Sequence, residues 1–335
     1  MSKKLHAVGI DVGSKTFHVA VHGRPDVQVF ENSIPGRKAV IATLKKLRGG
    51  VKIVLESTGA YGLDLALRLH KVTKFVVYYV NPKAAKGYAS RGFVRAKCDR
   101  VDALMLARMA ADDLGAPWCP PREHVLHLRC MTRRIRTLVN DKTREKNRLE
   151  AGRTGATPQF VLDDIEDNIS MLERRIKRLR KATLEYAREH AELAAKLDLL
   201  VTIPGVADNT AVEVLAEMEC MPNDLTAKQL VAQAGLDPRA KQSGKKDGPR
   251  RISKMGSKYL RASLFMAAFN SSKHSPEIAE FRRHFRENKH KPYLVTMTAI
   301  SRKLLHCIHG MLKSETAFDA DRFYKWPGEQ MKKSA

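Results

Sequence analysis

Ala7-Val8-Gly9-Ile10-Asp11-Val12-Gly13-Ser14-Lys15-Thr16-Phe17-His18-Val19-Ala20-Val21 holds two apolar runs, Ala7 to Ile10 and Phe17 to Val21, on either side of a turn built on Gly13 and Ser14. Two such runs about a short glycine-containing turn predict a β-hairpin. Asp11 closes the first strand. A carboxylate there leaves the buried strand and faces the rim of the sheet. It serves as a metal ligand, as the orienter of a nucleophile, or as a plain turn aspartate, and the positions of the other acids decide among these.

Outward from the hairpin, residues 27–31 read as a third short strand. Residues 36–47 carry Val40, Ile41, Leu44 and Leu47 at helical spacing. Residues 51–55 form an apolar strand ending in Glu56, 61–70 a helix, and 75–80 a strand closed by Asn81-Pro82. A short basic helix over 82–90 and an apolar helix over 99–113 (Val101, Leu104, Met105, Ala107, Met109) complete the series. Three strands and then alternating helices and strands predict a mixed α/β sheet with helices on its faces. That order fits a ribonuclease-H-like (RNase H-like) domain.

Composition narrows the partner. The 335 residues hold 61 Lys and Arg against 36 Asp and Glu, a formal charge of +25, with 43% hydrophobic residues. Such an excess is of no use to an ordinary metabolic enzyme. It suits a polyphosphate, whose contacts release counterions. Nucleic acid comes first and an anionic membrane surface second. No apolar run approaches the ~18–20 residues that span a bilayer, so no membrane role is expected. The opening Met-Ser-Lys-Lys-Leu-His has no signal-peptide core. Cys98, Cys119, Cys130, Cys220 and Cys307 are odd in number and contain no C-x-x-C pair, against both a zinc site and a disulfide framework. A reduced, cytoplasmic, nucleoid-associated protein is expected.

Pro117, Pro120 and Pro121 mark a linker. Beyond it come two long helices, one with Leu128, Met131, Ile135, Leu138 and Leu149, the other with Leu162, Ile165, Ile169, Leu172, Ile176 and Leu179. The spacing by threes and fours is a heptad seam. With a turn at 152–158 it predicts an antiparallel helical hairpin, or coiled coil. Arg133, Arg134, Arg136, Arg144 and Arg148 are expected on its outer faces, as a solvated surface, a rod along a nucleic-acid backbone, or a dimerisation arm. Ile203-Pro204-Gly205-Val206 opens a helix over 210–218, a helix-hairpin-helix-like turn whose free N–H groups suit a phosphate. Residues 225–234 form another helix. The stretch 239–261 carries nine Lys or Arg against Asp247 alone, and its glycines keep it loop-like. Helices over 259–269 and 293–312 flank a basic segment at 282–291. The expected domains are therefore 1–116 (catalytic α/β), 117–198 (helical hairpin), 199–315 (mostly helical C-terminal domain) and 316–335 (a loosely held tail).

Four carboxylates stand out: Asp11 and Glu56 at strand ends, and Asp99 and Asp102 three residues apart at the start of a helix. Singly, the last two read as an N-cap and a first-turn acid. In the inferred fold all four converge at one rim, where ionised carboxylates need a counter-charge. Hard divalent cations supply it, Mg²⁺ foremost and Mn²⁺ as the alternative. Such ions stabilise the attacking and leaving oxygens of a phosphodiester. Lys97 and Arg100 flank the pair, and Ser57-Thr58-Gly59 follows Glu56.

Asp11 in Gly-Ile-Asp-Val-Gly, Glu56 in Glu-Ser-Thr-Gly-Ala-Tyr, and Asp99 and Asp102 in Lys-Cys-Asp-Arg-Val-Asp-Ala resemble the four-acid signature of the DEDD insertion-sequence transposases, the one-ten family. The later Ile-Pro-Gly-Val, Ala-Gly-Leu-Asp-Pro-Arg, Gln-Ser-Gly and Ser-Lys-Met-Gly resemble that family's C-terminal transposase domain. The resemblance spans about residues 7 to 315. It implies a Holliday-junction-resolvase-like N-terminal domain and a serine nucleophile in the C-terminal one, at Ser243. It also implies a phosphoserine link to DNA, a homo-oligomer (dimer or tetramer) and a non-coding guide RNA. Lys245, Lys246, Arg250, Arg251 and Lys254 would then neutralise backbone phosphates. Read from the residues alone, Ser243 is one loop serine among rivals at Ser253, Ser257 and Ser263. Three other readings stand beside the recombinase: a metal-dependent junction-resolving endonuclease, a non-catalytic nucleic-acid binder, and a phosphotransferase of the sugar-kinase and actin type. The last is disfavoured by the charge and by the want of a later Gly-Gly adenosine loop.

Overall fold

The computed structural model describes residues 5–57, 59–91, 98–239, 242–243, 246–248 and 251–324. The chain divides into two compact units, Met1–Pro120 and Pro121–Ala335, with the boundary inside the proline-marked linker.

The first unit begins with the predicted hairpin, β1 (Leu5–Val12) and β2 (Thr16–Val21), joined through Gly13 N–H donating to Thr16 O. Next come β3 (Val27–Glu31), α1 (Ile34–Lys45), β4 (Gly50–Glu56), α2 (Ala60–His70), β5 (Phe75–Val80), α3 (Pro82–Arg91) and α4 (Asp99–Ala111). The sheet order is β3-β2-β1-β4-β5. The first three strands are antiparallel neighbours, and β4 runs parallel to β1 and to β5.

Both faces of this sheet are covered, as parallel strands require. Val8, Ile10 and Val12 of β1 and Val51, Ile53 and Leu55 of β4 meet Val40 and Leu44 of α1 and Leu65 and Leu69 of α2. On the other face Val54 joins Ala85, Met105, Leu106 and Met109, and Ala20 joins Ala103 and Ala107. Gly9 shows how tightly α4 is seated. A Cβ there would lie 2.1 Å from Ala107 N and 2.2 Å from Ala103 O. A side chain on β1 would therefore collide with the helix backbone itself, and glycine inside a strand marks this kind of close approach.

The second unit opens with α5 (Glu123–Thr154) and α6 (Gln159–Arg188), the predicted hairpin. Ile135, Leu138, Leu172 and Ile176 form its buried seam. Toward the turn, Leu149, Leu162 and Ile165 are only half-buried. There follow α7 (Ala191–Val201), α8 (Asp208–Met218), α9 (Ala227–Ala234), four two-residue strands, α10 (Lys258–His274), α11 (Pro276–Arg283), a π-helical turn (His284–Asn288), α12 (Tyr293–Ser314) and α13 (Ala320–Phe323). Val125, Leu128 and Ala187 at the base of the hairpin belong to the same core as α7–α12.

Two expectations require correction here. The chain beyond 316 is not loose throughout. Phe323 is fully buried, and Phe318 and Tyr324 pack on the same core. Nor do Arg133 and Arg136 belong to a solvated outer face. Arg133 makes two hydrogen bonds, 2.7 and 3.0 Å, to Glu217, whose side chain is 4% exposed, and stacks 4.5 Å over the Tyr259 ring. Arg136 pairs with Glu213, which also accepts from Ser263 Oγ. Helical periodicity fixes which residues share a face, but not that α8 and α10 would cover this one. Arg134 remains exposed, and Arg144 and Arg148 pair with acids three residues away on their own helix.

Candidate functional site

Asp11 lies one residue past Ile10, which pairs with Leu55 in the parallel β1–β4 ladder. Asp11 and Glu56 therefore stand side by side at the carboxyl ends of adjacent strands, whose spacing is about 4.8 Å. Across the hairpin, Asp11 is paired in register with His18. Because α4 rests directly on β1 at Gly9, its first turn comes to the same rim. Cys98 occupies the N-cap position without a side-chain capping bond, and Asp99 and Asp102 are both first-turn acids. The amino-terminal end of a helix favours that placement.

The ligating atoms of Asp11, His18 and Asp99 lie within 4.8 Å of one another. Glu56 and Asp102 stand outside that set. Even so, both act on Asp11, whose pKa is pushed up to about 6 from an ordinary 3.8. Burial is the main cause, followed by the charges of Asp99, Asp102 and Glu56, while His18 works in the opposite direction. Three further carboxylates thus oppose the ionisation of the central one. Two carboxylates with an imidazole beside them are a donor set that suits a divalent cation.

The Asp11 shift has a consequence for stability. A carboxyl whose folded pKa exceeds its unfolded value costs stability once it ionises, and that cost develops as pH rises from 3.8 to about 6. Asp11→Asn should therefore raise the melting temperature of chelator-treated protein at pH 7.5. The gain should shrink steadily as pH falls below 6. Thermal unfolding across that range, with and without chelator, checks this.

Sequence reasoning passed over His18. Its signal was the turn itself, because counting back from Val12 opposite Phe17 puts His18 opposite Asp11. Thr58 and Lys97 lie outside the described residues.

In the second unit the basic loop is held at a neck. Strands β6 (Pro238–Arg239) and β9 (Arg251–Ile252) pair, and within the loop β7 (Gln242–Ser243) pairs with β8 (Lys246–Asp247). The stretch is therefore a pair of short ladders where a loop was expected. Ser243 lies opposite Lys246 in the inner ladder. Below the neck, Ser253 N–H donates to Asp237 O and Ser253 Oγ to the Asp237 carboxylate. Arg261 donates to the carbonyls of Ala234 and Gly256. Gly235 closes α9 at φ +68°, and a Cβ on it would lie 2.6 Å from Gly256 N. These contacts give Ala-Gly-Leu-Asp-Pro-Arg and Ser-Lys-Met-Gly their physical reason, since the two segments interlock.

Of the candidate phosphate contacts, Arg251 and Lys254 are exposed near this neck, and Lys254 holds a left-handed backbone at φ 53°. Lys246 lies in β8, and Lys245 and Arg250 lie outside the described residues. Gly205 has φ +81°, and a Cβ on it would lie 2.7 Å from the Asn270 carbonyl carbon of α10. Packing against α10 accounts for that glycine. The Val206 N–H is already used within the turn, donating to Ile203 O, and Asp208 in the first turn of α8 discourages an anion.

Comparison with known proteins gives a consistent outcome. Residues 8–156 match the model of the IS110-type DEDD transposases, and residues 197–283 match that of the transposase IS116/IS110/IS902 family. Two curated relatives, the pilin gene-inverting proteins of Moraxella lacunata and Moraxella bovis, are each 28% identical over 327 residues, covering 93% of this chain and 97% of theirs.

Proposed function

The chain belongs to the IS116/IS110/IS902 family of transposases, DNA-cutting recombination enzymes, and on that footing we propose that it cuts and rejoins DNA through a phosphoserine link at Ser243. The acid rim of the first unit would hold Mg²⁺ for that step. The observation that carries this reading is the convergence on Asp11 of three other carboxylates, an arrangement with no structural benefit of its own. The strand order β3-β2-β1-β4-β5, with an antiparallel meander leading into parallel strands, supports a ribonuclease-H-like first domain. No helix among the described residues is long and apolar enough to cross a membrane.

In the proposed step, Ser243 Oγ attacks a backbone phosphorus. The Oγ–P bond forms as one P–O bond to a sugar breaks. The electron pair leaves with the sugar oxygen, which takes up a proton as the serine hydroxyl gives one to solvent. An incoming sugar hydroxyl later displaces Oγ by the same exchange, so no bond energy is lost between cutting and rejoining. Asp11 and Asp99, with Glu56 and Asp102 beside them, would hold the ion. When bound, Mg²⁺ supplies positive charge to the phosphate oxygens. The exposed Arg251 and Lys254 position the strand by its phosphates. A guide RNA and a dimeric or tetrameric assembly enter this proposal through the family resemblance.

The test is direct. The protein is incubated with the DNA ends of its own element, the element's non-coding RNA and Mg²⁺, then denatured. A covalent protein–DNA species is expected from the wild type and should fall below detection in both Ser243→Ala and Asp11→Asn. Mg²⁺-dependent nicking that survives Ser243→Ala would instead identify a junction-resolving endonuclease. Retention of DNA with no strand chemistry would leave a binder.

A further inference from the structure

We infer that His18 is a nitrogen ligand of the cation at the acid rim, and that this makes the site prefer a first-row transition ion such as Mn²⁺ over Mg²⁺. The inference rests on the reading that the rim holds a divalent cation, and it adds the identity of a donor and of the preferred ion.

The geometry around His18 carries it. The Nδ1 atom is buried and has no hydrogen-bond partner among the described residues. Buried polar side-chain atoms are nearly always paired, so an orphan needs an explanation. The nearest acid, Asp99, has its Oδ2 at 3.8 Å, beyond hydrogen-bond reach. The imidazole is 17% exposed, and the strand register places it on the same face of the sheet as Asp11. Its residue is the cross-strand partner of Asp11 in the β1–β2 ladder, so main-chain hydrogen bonds set the two residues opposite each other.

The spacing also fits an ion. A ring nitrogen of His18 and one carboxylate oxygen each from Asp11 and Asp99 lie within 4.8 Å of one another, and Nδ1 is the nitrogen facing Asp99 Oδ2. Two donors on opposite sides of an ion with bonds of ~2.1 Å stand ~4.2 Å apart. Only one pair of the three donors can be opposite, so the others must draw closer than that around a bound ion. An imidazole with its proton on Nε2 presents the Nδ1 lone pair to that space. Oxygen-only donor sets suit Mg²⁺ and Mn²⁺ alike, whereas a ring nitrogen suits the first-row transition ions, in an affinity order that begins at Mn²⁺ and rises along the row. The competing reading is that His18 is only a charged neighbour offsetting the acids.

The experiment uses the full chain, stripped with chelator, free of nucleic acid and titrated with Mn²⁺. Continuous-wave electron paramagnetic resonance counts free ion, and Mg²⁺ serves as competitor. Pulsed measurements on the bound ion report any directly coordinated nitrogen. We expect nitrogen coupling in the wild type and its loss in both His18→Gln and His18→Ala. Mn²⁺ affinity should fall about tenfold or more, by analogy with other losses around metal sites, with Mg²⁺ affinity changed less than about twofold. Circular dichroism confirms that each variant is folded. The absence of nitrogen coupling in the wild type overturns the inference, as does coupling that persists in both variants or an equal loss of both ions. Uptake of Mn²⁺ that depends on Asp11 but carries no nitrogen signature defeats the inference and leaves the acid site standing. A wild type that takes up no ion defeats both.

Discussion

Gly9→Ala will unseat the helix that carries Asp99 and Asp102. The added methyl would lie 2.1 Å from one backbone atom of α4 and 2.2 Å from another. A backbone cannot swing aside as a flexible side chain does, so either the helix lifts or the strand bends. Overfilling a packed core ordinarily costs about 1–3 kcal/mol. A clash with main chain on both sides belongs at the upper end or beyond. Displacing a reacting group by about 1 Å costs on the order of a hundredfold in rate, so recombination should fall by at least that factor even in molecules that remain folded. Urea unfolding and ion binding on the same variant check the two halves. Gly87→Ala is the control, since a Cβ at that exposed position in α3 meets nothing within 4 Å. Alanine is also the better helix former there.

Arg133→Ala should destabilise the second unit by about 1–3 kcal/mol, the cost of stranding a nearly buried carboxylate whose partner is itself half-exposed. Glu217 would then keep a carboxylate that is 4% exposed with, among the described residues, the Ser257 hydroxyl 2.7 Å away to satisfy it. The double variant Arg133→Met, Glu217→Met should recover much of that loss, because it leaves neither charge stranded. Chemical denaturation of the three proteins measures the coupling. The same residue separates a strut from a nucleic-acid contact. A phosphate contact would reduce the salt dependence of DNA binding when lost, and that dependence should be unaltered in folded Arg133→Ala.

The first unit was readable in advance because its signals are local. The apolar strand runs, the Gly13–Ser14 turn and the acid positions all lie within short windows. The sheet rim followed from counting strands. What escaped notice was information held between elements. His18 matters only once its cross-strand partner is known. Gly9 looks like a weak point in a strand until α4 is laid on it. Arg133 and Arg136 carry the same charge as Arg134, and only the arrival of α8 and α10 separates them. Phe318, Phe323 and Tyr324 sit in a polar, unpatterned stretch and pack because α11 and α12 leave a greasy recess for them.

The interlocked neck beneath Ser243 bears on how such a loop can change. Its two ends are fastened by the Arg239–Arg251 pairing, the Asp237–Ser253 bonds and the meeting of Gly235 with Gly256. Every one of those fastenings lies outside residues 240–250. Lengthening the segment between them alters little more than ring-closure entropy, about 0.6 kcal/mol for each doubling. A scaffold so arranged tolerates reshaping of the segment it holds, through insertion, deletion or exchange, while the helices that support it go on folding as before.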